Sequence, residues 1–217
     1  MGNVLLRWLK TTLWVVLVCA ACQSATQMQS ARRALILNNH EEALAHFQSV
    51  AAEDPSYFYR SGPFRENIWT YVGRTQYATG RLAEARPSLE RALSLDKDDY
   101  LARIYLGLTL ARGGDRGAAL REIETGFRGL HDWLEYLTYN TQFWYWDTNR
   151  EIRNQIEKDL DAIANRNVNW PELIANAEWV GKKTEEEVDA ARKDEELQRR
   201  YRDDHFRGPG IGVGIGF

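Results

Sequence analysis

The chain has 217 residues, 44% of them hydrophobic and 27% charged, with a formal net charge of −3. That length suffices for one well-buried core, and the acidic balance, with no basic stretch free of acidic neighbours, argues against a nucleic-acid partner. The only cysteines are Cys19 and Cys22, so the chain beyond them has neither a disulfide nor a thiolate metal site.

The first predicted element covers residues 1–21. Arg7 and Lys10 precede a short apolar run containing Leu13, Trp14, Val15, Val16, Leu17 and Val18, which ends in Cys19-Ala20-Ala21-Cys22. A basic start, an apolar run and small residues make a secretion signal. The run is too short for a comfortable transmembrane helix. Small residues just ahead of Cys22 resemble the bacterial lipobox, in which the cysteine becomes the acylated first residue of the mature chain. The resemblance implies a lipoprotein signal peptide over residues 1–21 and acyl chains on Cys22. Cys19 departs from the leucine usual at that position, and an uncleaved signal anchor is the alternative. Gln23 stands where some lipoproteins carry the aspartate that retains them at the inner membrane. The implied address is therefore the periplasmic face of the outer membrane. Losing Arg7 and Lys10 with the signal takes the net charge from −3 to −5.

Next comes a pattern that returns after 34 residues. Gly73 recurs as Gly107, Gly80 as Gly114, Ala85 as Ala119, Leu89 as Ile123 and Ala92 as Gly126. Trp69, Val72, Gly73 and Gln76 share one helical face. Gly80 suits the left-handed position that ends a helix. Ala85, Leu89, Ala92 and Leu93 give a second helix its buried stripe. Gly73 and Ala85 are small where two antiparallel helices must approach closely. An earlier, plainer copy has Ala43, Phe47, Val50 and Pro55, with Asn38-Asn39 in place of the inter-helix glycine. It is eight residues out of period, and the surplus falls near residues 57–65, where Ser61-Gly62-Pro63 breaks any helix.

This period and these residue types resemble the tetratricopeptide (TPR) repeat. Gln76 in place of the usual tyrosine, Lys97 in place of the usual proline, and Pro87 inside the second helix are departures. The resemblance implies TPR-like repeats over residues 22–130, at about 23–56, 66–99 and 100–130.

Beyond them, residues 131–200 are expected to form a helical cap and a charged helix. Trp133, Leu134 and Leu137 suggest a helix near residues 130–139. An aromatic cluster with Phe143, Trp144, Tyr145 and Trp146 follows. Trp144 and Trp146 are expected to cover the last repeat, with a ligand pocket or a lipid-contacting rim as alternatives. Ile152, Ile156, Leu160 and Ile163 form an amphipathic stripe behind Asp147 or Thr148 as a cap. Pro171 opens a further helix, with the stripe Leu173, Ala177, Val180, Thr184, Val188 and Ala191. The acidic run Glu185-Glu186-Glu187 reads as solvated surface, on a helix that frays toward Asp203. Residues 201–217 are expected to be a flexible tail. Its last ten residues alternate glycine with Ile211, Val213, Ile215 and Phe217, a pattern that also suits a strand added to a partner's sheet edge.

The histidines His40, His46, His131 and His205 form no metal-binding spacing, and no nucleophile is placed beside His131-Asp132. The expectation is an all-α, non-catalytic chain with no cofactor and no metal: a short TPR-like solenoid with capping helices and a glycine-rich extended tail. The TPR resemblance implies protein binding on the groove lined by the first helix of each repeat. Those positions are Arg32, Tyr71, Arg74, Tyr77, Ile104, Leu108 and Arg112, a mixture suited to an acidic-apolar peptide. The implied partners are envelope proteins in the groove and the membrane through the acyl chains. A structural envelope tether, or a lipid or glycan carrier using the aromatic cluster, are the rival readings.

Overall fold

The computed structural model describes residues 25–143 and 145–206, with side chains to residue 202. Cys22, Trp144 and the glycine-alternating tail lie outside the described residues.

The fold is mostly helical. Helix α1 is described over residues 25–36, followed by α2 (His40–Glu53), strands β1 (Phe58–Ser61) and β2 (Phe64–Asn67), then α3 (Ile68–Ala78) and α4 (Leu82–Leu95). After these come α5 (Tyr100–Arg112), α6 (Arg116–Asn140), α7 (Glu151–Ala164) and α8 (Trp170–Phe206). From α2 to α8 each helix packs on the next, and α8 also packs on α5.

Three turns have the same chemistry. Asn38, Gly80 and Gly114 each adopt a positive φ, of 61°, 76° and 92°. In each case the following residue donates its backbone N–H five residues back: Asn39 to Ala34, Arg81 to Gln76, Asp115 to Leu110. This closure satisfies carbonyls that a helix end leaves free. A fourth copy ends α7, where Arg166 has φ 54° and Asn167 donates to Ala162.

Glycine sets the spacing inside the helix pairs. A Cβ on Gly73 would lie 2.5 Å from Leu89 Cγ, and one on Gly107 would lie 2.6 Å from Ile123 Cγ1 and 2.8 Å from the Ala119 carbonyl. The backbones of α5 and α6 are therefore closer than alanine allows, while α3 meets α4 through the Leu89 side chain.

The eight surplus residues near residues 57–65 are taken up by a hairpin. Strands β1 and β2 pair antiparallel, with Tyr59 opposite Glu66 and Ser61 opposite Phe64. Gly62, with φ 52°, begins its two-residue turn. Phe64 stacks on Trp146 at 6.2 Å, and Trp146 meets the edge of Trp133 at 5.5 Å. Trp146 is thus buried between the hairpin and α6.

The structure corrects several expectations. The helix suggested near residues 130–139 is the second half of α6, which runs unbroken for 25 residues. The division between residues 130 and 131 therefore falls inside one helix. The α8 helix continues to Phe206, past the expected start of the tail at residue 201. Its stripe Leu173, Ala177, Val180, Thr184, Val188 and Ala191 is wholly buried, and so is Glu185, at 2% exposure. The first residue of the acidic run is therefore interior, and the reason is a pair of arginines.

The Asp147 carboxylate accepts from the backbone N–H groups of Ile152 and Arg153, satisfying donors at the start of α7. It also holds Arg153 Nε at 3.0 Å, with both side chains buried.

Candidate functional site

The inner helices α1, α3 and α5 form a groove, and α8 lies along it. Each of the four helices contributes charge. Arg32 on α1 is 1% exposed, and its Nε donates to Glu185 Oε1 at 2.7 Å. Arg32 Nη1 donates to the Tyr59 hydroxyl at 2.5 Å. Arg74 on α3 is 3% exposed. Its Nη1 donates to both oxygens of Glu66, at 2.8 and 3.1 Å, and to Glu185 Oε2 at 3.3 Å. Glu185 thus bridges two arginines with its two oxygens. The hairpin explains the rest of the arrangement. Tyr59 and Glu66 face each other across it, so one strand pair supports Arg32 and Arg74 together.

Two turns of α8 earlier, Glu178 repeats the role. Its Oε1 accepts from the Tyr77 hydroxyl at 2.5 Å and from Arg112 Nη2 at 2.6 Å. The Arg112 guanidinium also lies 4.3 Å from the centre of the Tyr77 ring. Between the two glutamates, Gly181 lets α8 approach Tyr105. A Cβ there would lie 2.5 Å from the Tyr105 hydroxyl oxygen and 2.6 Å from Cε2.

Burial opposes charge in this cluster, and the pairs answer it. For Arg32 burial alone would lower the pKa, but the Glu185 carboxylate and the Tyr71 and Tyr59 hydroxyls raise it above the usual arginine range. Arg74 behaves the same way, with Glu66 as its main support. Glu66 has its carboxyl raised, first by burial and then by the nearby Asp99 and Glu185 carboxylates, against the pull of Arg74. Burial, then the bond to Glu178, raises the Tyr77 hydroxyl.

The groove positions expected from the repeat register are brought together, but they are not open to solvent. Arg32, Tyr71, Arg74, Tyr77, Ile104 and Leu108 are all buried. Ile104 and Leu108 belong to the apolar core, and Tyr71 stacks on Phe47 at 4.9 Å. Arg112 alone is substantially accessible, with 41% of its side chain exposed. The expectation of a free peptide groove is therefore corrected: the chain's own α8 occupies it. The partners sequence reasoning missed are Glu66, Tyr105, Glu178, Gly181 and Glu185. The spacing of Glu178, Gly181 and Glu185 on one face of a helix was the available signal.

The helix does not fill the groove. A cavity of about 300 Å³ remains between α8 and α1, α2, α3 and α5. Leu35, Ile36 and Ala78 supply its apolar wall, while Arg74, Arg112 and Lys182 bring positive charge and Glu178, Glu185 and Glu186 negative charge. His40 also lines it, its pKa lowered by burial and by Lys182.

A second cluster joins α6 to α7. His131, Glu135 and Glu157 bring potential ligand atoms within 4.8 Å of one another. The Arg150 guanidinium spans both carboxylates, 2.6 Å from Glu135 and 2.9 Å from Glu157. It supplies the positive charge there, and the cluster is a salt-bridge network. Among the described residues, no helix is long and apolar enough to cross a membrane.

No family model matches the chain, and no curated protein matches it. Among solved structures it is similar to the type III secretion translocator chaperone SycD of Yersinia enterocolitica, in an alternative dimer. That match has 17% identity and a TM-score of 0.47, and covers 66% of this chain and 93% of that one. A likeness at that level carries no conclusion about this chain.

Proposed function

We propose that this chain is a non-catalytic adaptor of the TPR type, tethered through acyl chains on Cys22 to the periplasmic face of a bacterial outer membrane, where it binds segments of envelope proteins. The observation that carries the reading is the groove itself. Inner helices spaced by similar turns present Arg32, Arg74 and Arg112 in a row, and that row grips a helix through carboxylates. The chain thus holds a helical segment in the manner the adaptor reading requires, although that segment is its own. The repeated turns at Asn38, Gly80 and Gly114, and the tight glycines at Gly73 and Gly107, support the TPR part of the reading. The lipobox resemblance supports the anchor.

A photo-crosslinking residue tests the adaptor. Placed at Lys182, at the cavity mouth, it should give discrete adducts with envelope proteins in intact cells. Placed at Leu95, 44% exposed on α4, it should not. Equal yields at the two positions, or none at either, would overturn the proposal.

A further inference from the structure

The way α8 is held bears on what else the groove accepts. The buried stripe of α8 consists of small or β-branched side chains, Ala177, Val180, Thr184, Val188 and Ala191, with Leu173 the largest, and Gly181 beside it faces Tyr105. Trp179 of α8 is 39% exposed. Apolar burial scales with area, so this face supplies less of it than an aromatic-rich helix would. The polar part of the attachment is ion pairing together with the Tyr77–Glu178 hydrogen bond, and a buried ion pair gains little beyond its desolvation cost. Connection also matters. A short link, residues 165–169, joins α8 to α7, so the helix reaches the groove at a high effective concentration and stays seated with modest intrinsic affinity.

Two further features restrict any replacement. Any helix that replaced α8 would cover Arg32 again, so it must bring a carboxylate where Glu185 stands, and one where Glu178 stands would restore the pair with Arg112. The 300 Å³ cavity beside Lys182 shows that the groove is wider than the helix now in it. An occupant with a larger apolar residue at that position fits better.

Building on the adaptor reading, we infer that the partner segment is a helix with the chemistry of α8, and that α8 is the internal occupant it replaces. Such a helix carries two carboxylates seven residues apart, a glycine between them to clear Tyr105, and an apolar side chain facing the cavity. Because α8 competes, the apparent affinity for a partner is reduced by the fraction of time the groove is closed.

The test uses the full chain and a fluorescent peptide of residues 173–191, with binding read by anisotropy. Gly181→Ala is made separately in the chain and in the peptide. In the chain it pushes α8 against Tyr105, opens the groove and should raise peptide affinity roughly tenfold. In the peptide it meets the same ring and should lower affinity by a similar factor. A Lys182→Phe peptide should bind more tightly than the unchanged one, and a peptide carrying both Glu178→Lys and Glu185→Lys should not bind. Circular dichroism first establishes that the Gly181→Ala chain is folded. If it is not, Glu178→Gln, which weakens the accessible end of α8, serves as the chain variant.

No peptide binding to either chain, or a shift in the same direction from both Gly181→Ala substitutions, would overturn the inference. A concentration-dependent dimer that the peptide cannot dissociate would also overturn it, since the groove would then belong to a second copy. Photo-crosslinking at Lys182 separates these failures from failure of the adaptor reading: partners captured there without peptide exchange would mean that α8 is a fixed wall of the site.

Discussion

Arg74 shows how one residue changes meaning between sequence and structure. By register it faces a groove, so charge reversal should weaken partner binding and leave the fold intact. In the structure it is buried between Glu66 and Glu185, and Arg74→Glu would set a third carboxylate among them. Breaking a buried pair by removing one partner costs about 3–5 kcal/mol. Arg74→Glu should therefore lower the melting temperature sharply, and loss of binding in that variant would say nothing about contact. Arg112→Glu separates the two effects, because Arg112 is 41% exposed. It should melt close to the wild type in a thermal scan, and a collapse there would show that the mouth of the groove is structural. Glu66 adds a pH dependence. Burial holds its proton in the folded state to higher pH than the ordinary 4.5 of the unfolded chain. The stabilisation from that retained proton is full below the unfolded value and is lost as pH rises through the folded one. Compared with Glu66→Gln, which lacks this titration, the wild type should lose relative stability as pH rises from about 4.5. A relative stability that instead grew over that range, in parallel thermal melts, would show Arg74 holding the carboxylate ionised throughout.

Between elements, the glycines at helix crossings carry much of the geometry. Gly73 and Gly107 occupy matching positions but are not equally constrained. The closest obstacles to a Cβ on Gly73 are side-chain atoms of Leu89, which can shift. Those on Gly107 include the Ala119 carbonyl oxygen at 2.8 Å and the Ile123 nitrogen at 2.9 Å, both backbone. Overpacking costs typically about 1–3 kcal/mol. Gly107→Ala should fall at the upper end and Gly73→Ala below it, measured by urea unfolding of each variant. Equal losses would mean that α5 and α6 separate as easily as Leu89 changes rotamer. Such local features were legible in the sequence. Asn38, Gly80 and Gly114 marked the turns by their tolerance of positive φ, and the apolar stripe of α8 had the right spacing. The hairpin was visible only as a surplus of residues with a break at Ser61-Gly62-Pro63. Its pairing depends on Phe64 reaching Trp133 and Trp146, contacts far along the chain that no local pattern encodes. Helix α6 was read as a repeat helix ending near residue 130 and a further helix near residues 130–139, whereas Gly126 and Gly129, just before that division, lie inside one helix where it meets Ile104 and Tyr100 of α5.

For the whole molecule, the largest feature hidden from the sequence was the path of α8. Periodicity gave its buried face but not what that face meets, and Glu185 looked like part of a solvated run because its arginine partners lie 111 and 153 residues away. The proposed anchor is a separate matter of chemistry at Cys22. The Cys22→Ser variant should lose labelling by a fatty-acid probe and leave the membrane fraction, since serine removes the thiol that would carry the lipid. Labelling unchanged from the wild type would rule Cys22 out.

Direction gives that anchor a further consequence. Helices α1 and α8 run oppositely: Leu35 and Ile36 share a cavity with Glu178 and Lys182, whereas Gln29 and Arg33 share another with Arg192 and Glu196. The start of α1 and the far end of α8 therefore leave the same pole of the molecule. Under the proposed anchor at Cys22, three residues before the described start of α1, that pole would be the one facing the bilayer. The turns at Asn38, Gly80 and Gly114 gather at the opposite pole, where α1, α3 and α5 end beside Glu178. With the proposed anchor in place, a partner would meet those turns and the Arg112–Glu178 pair first, and the accessible end of the groove would be the end held farthest from the membrane.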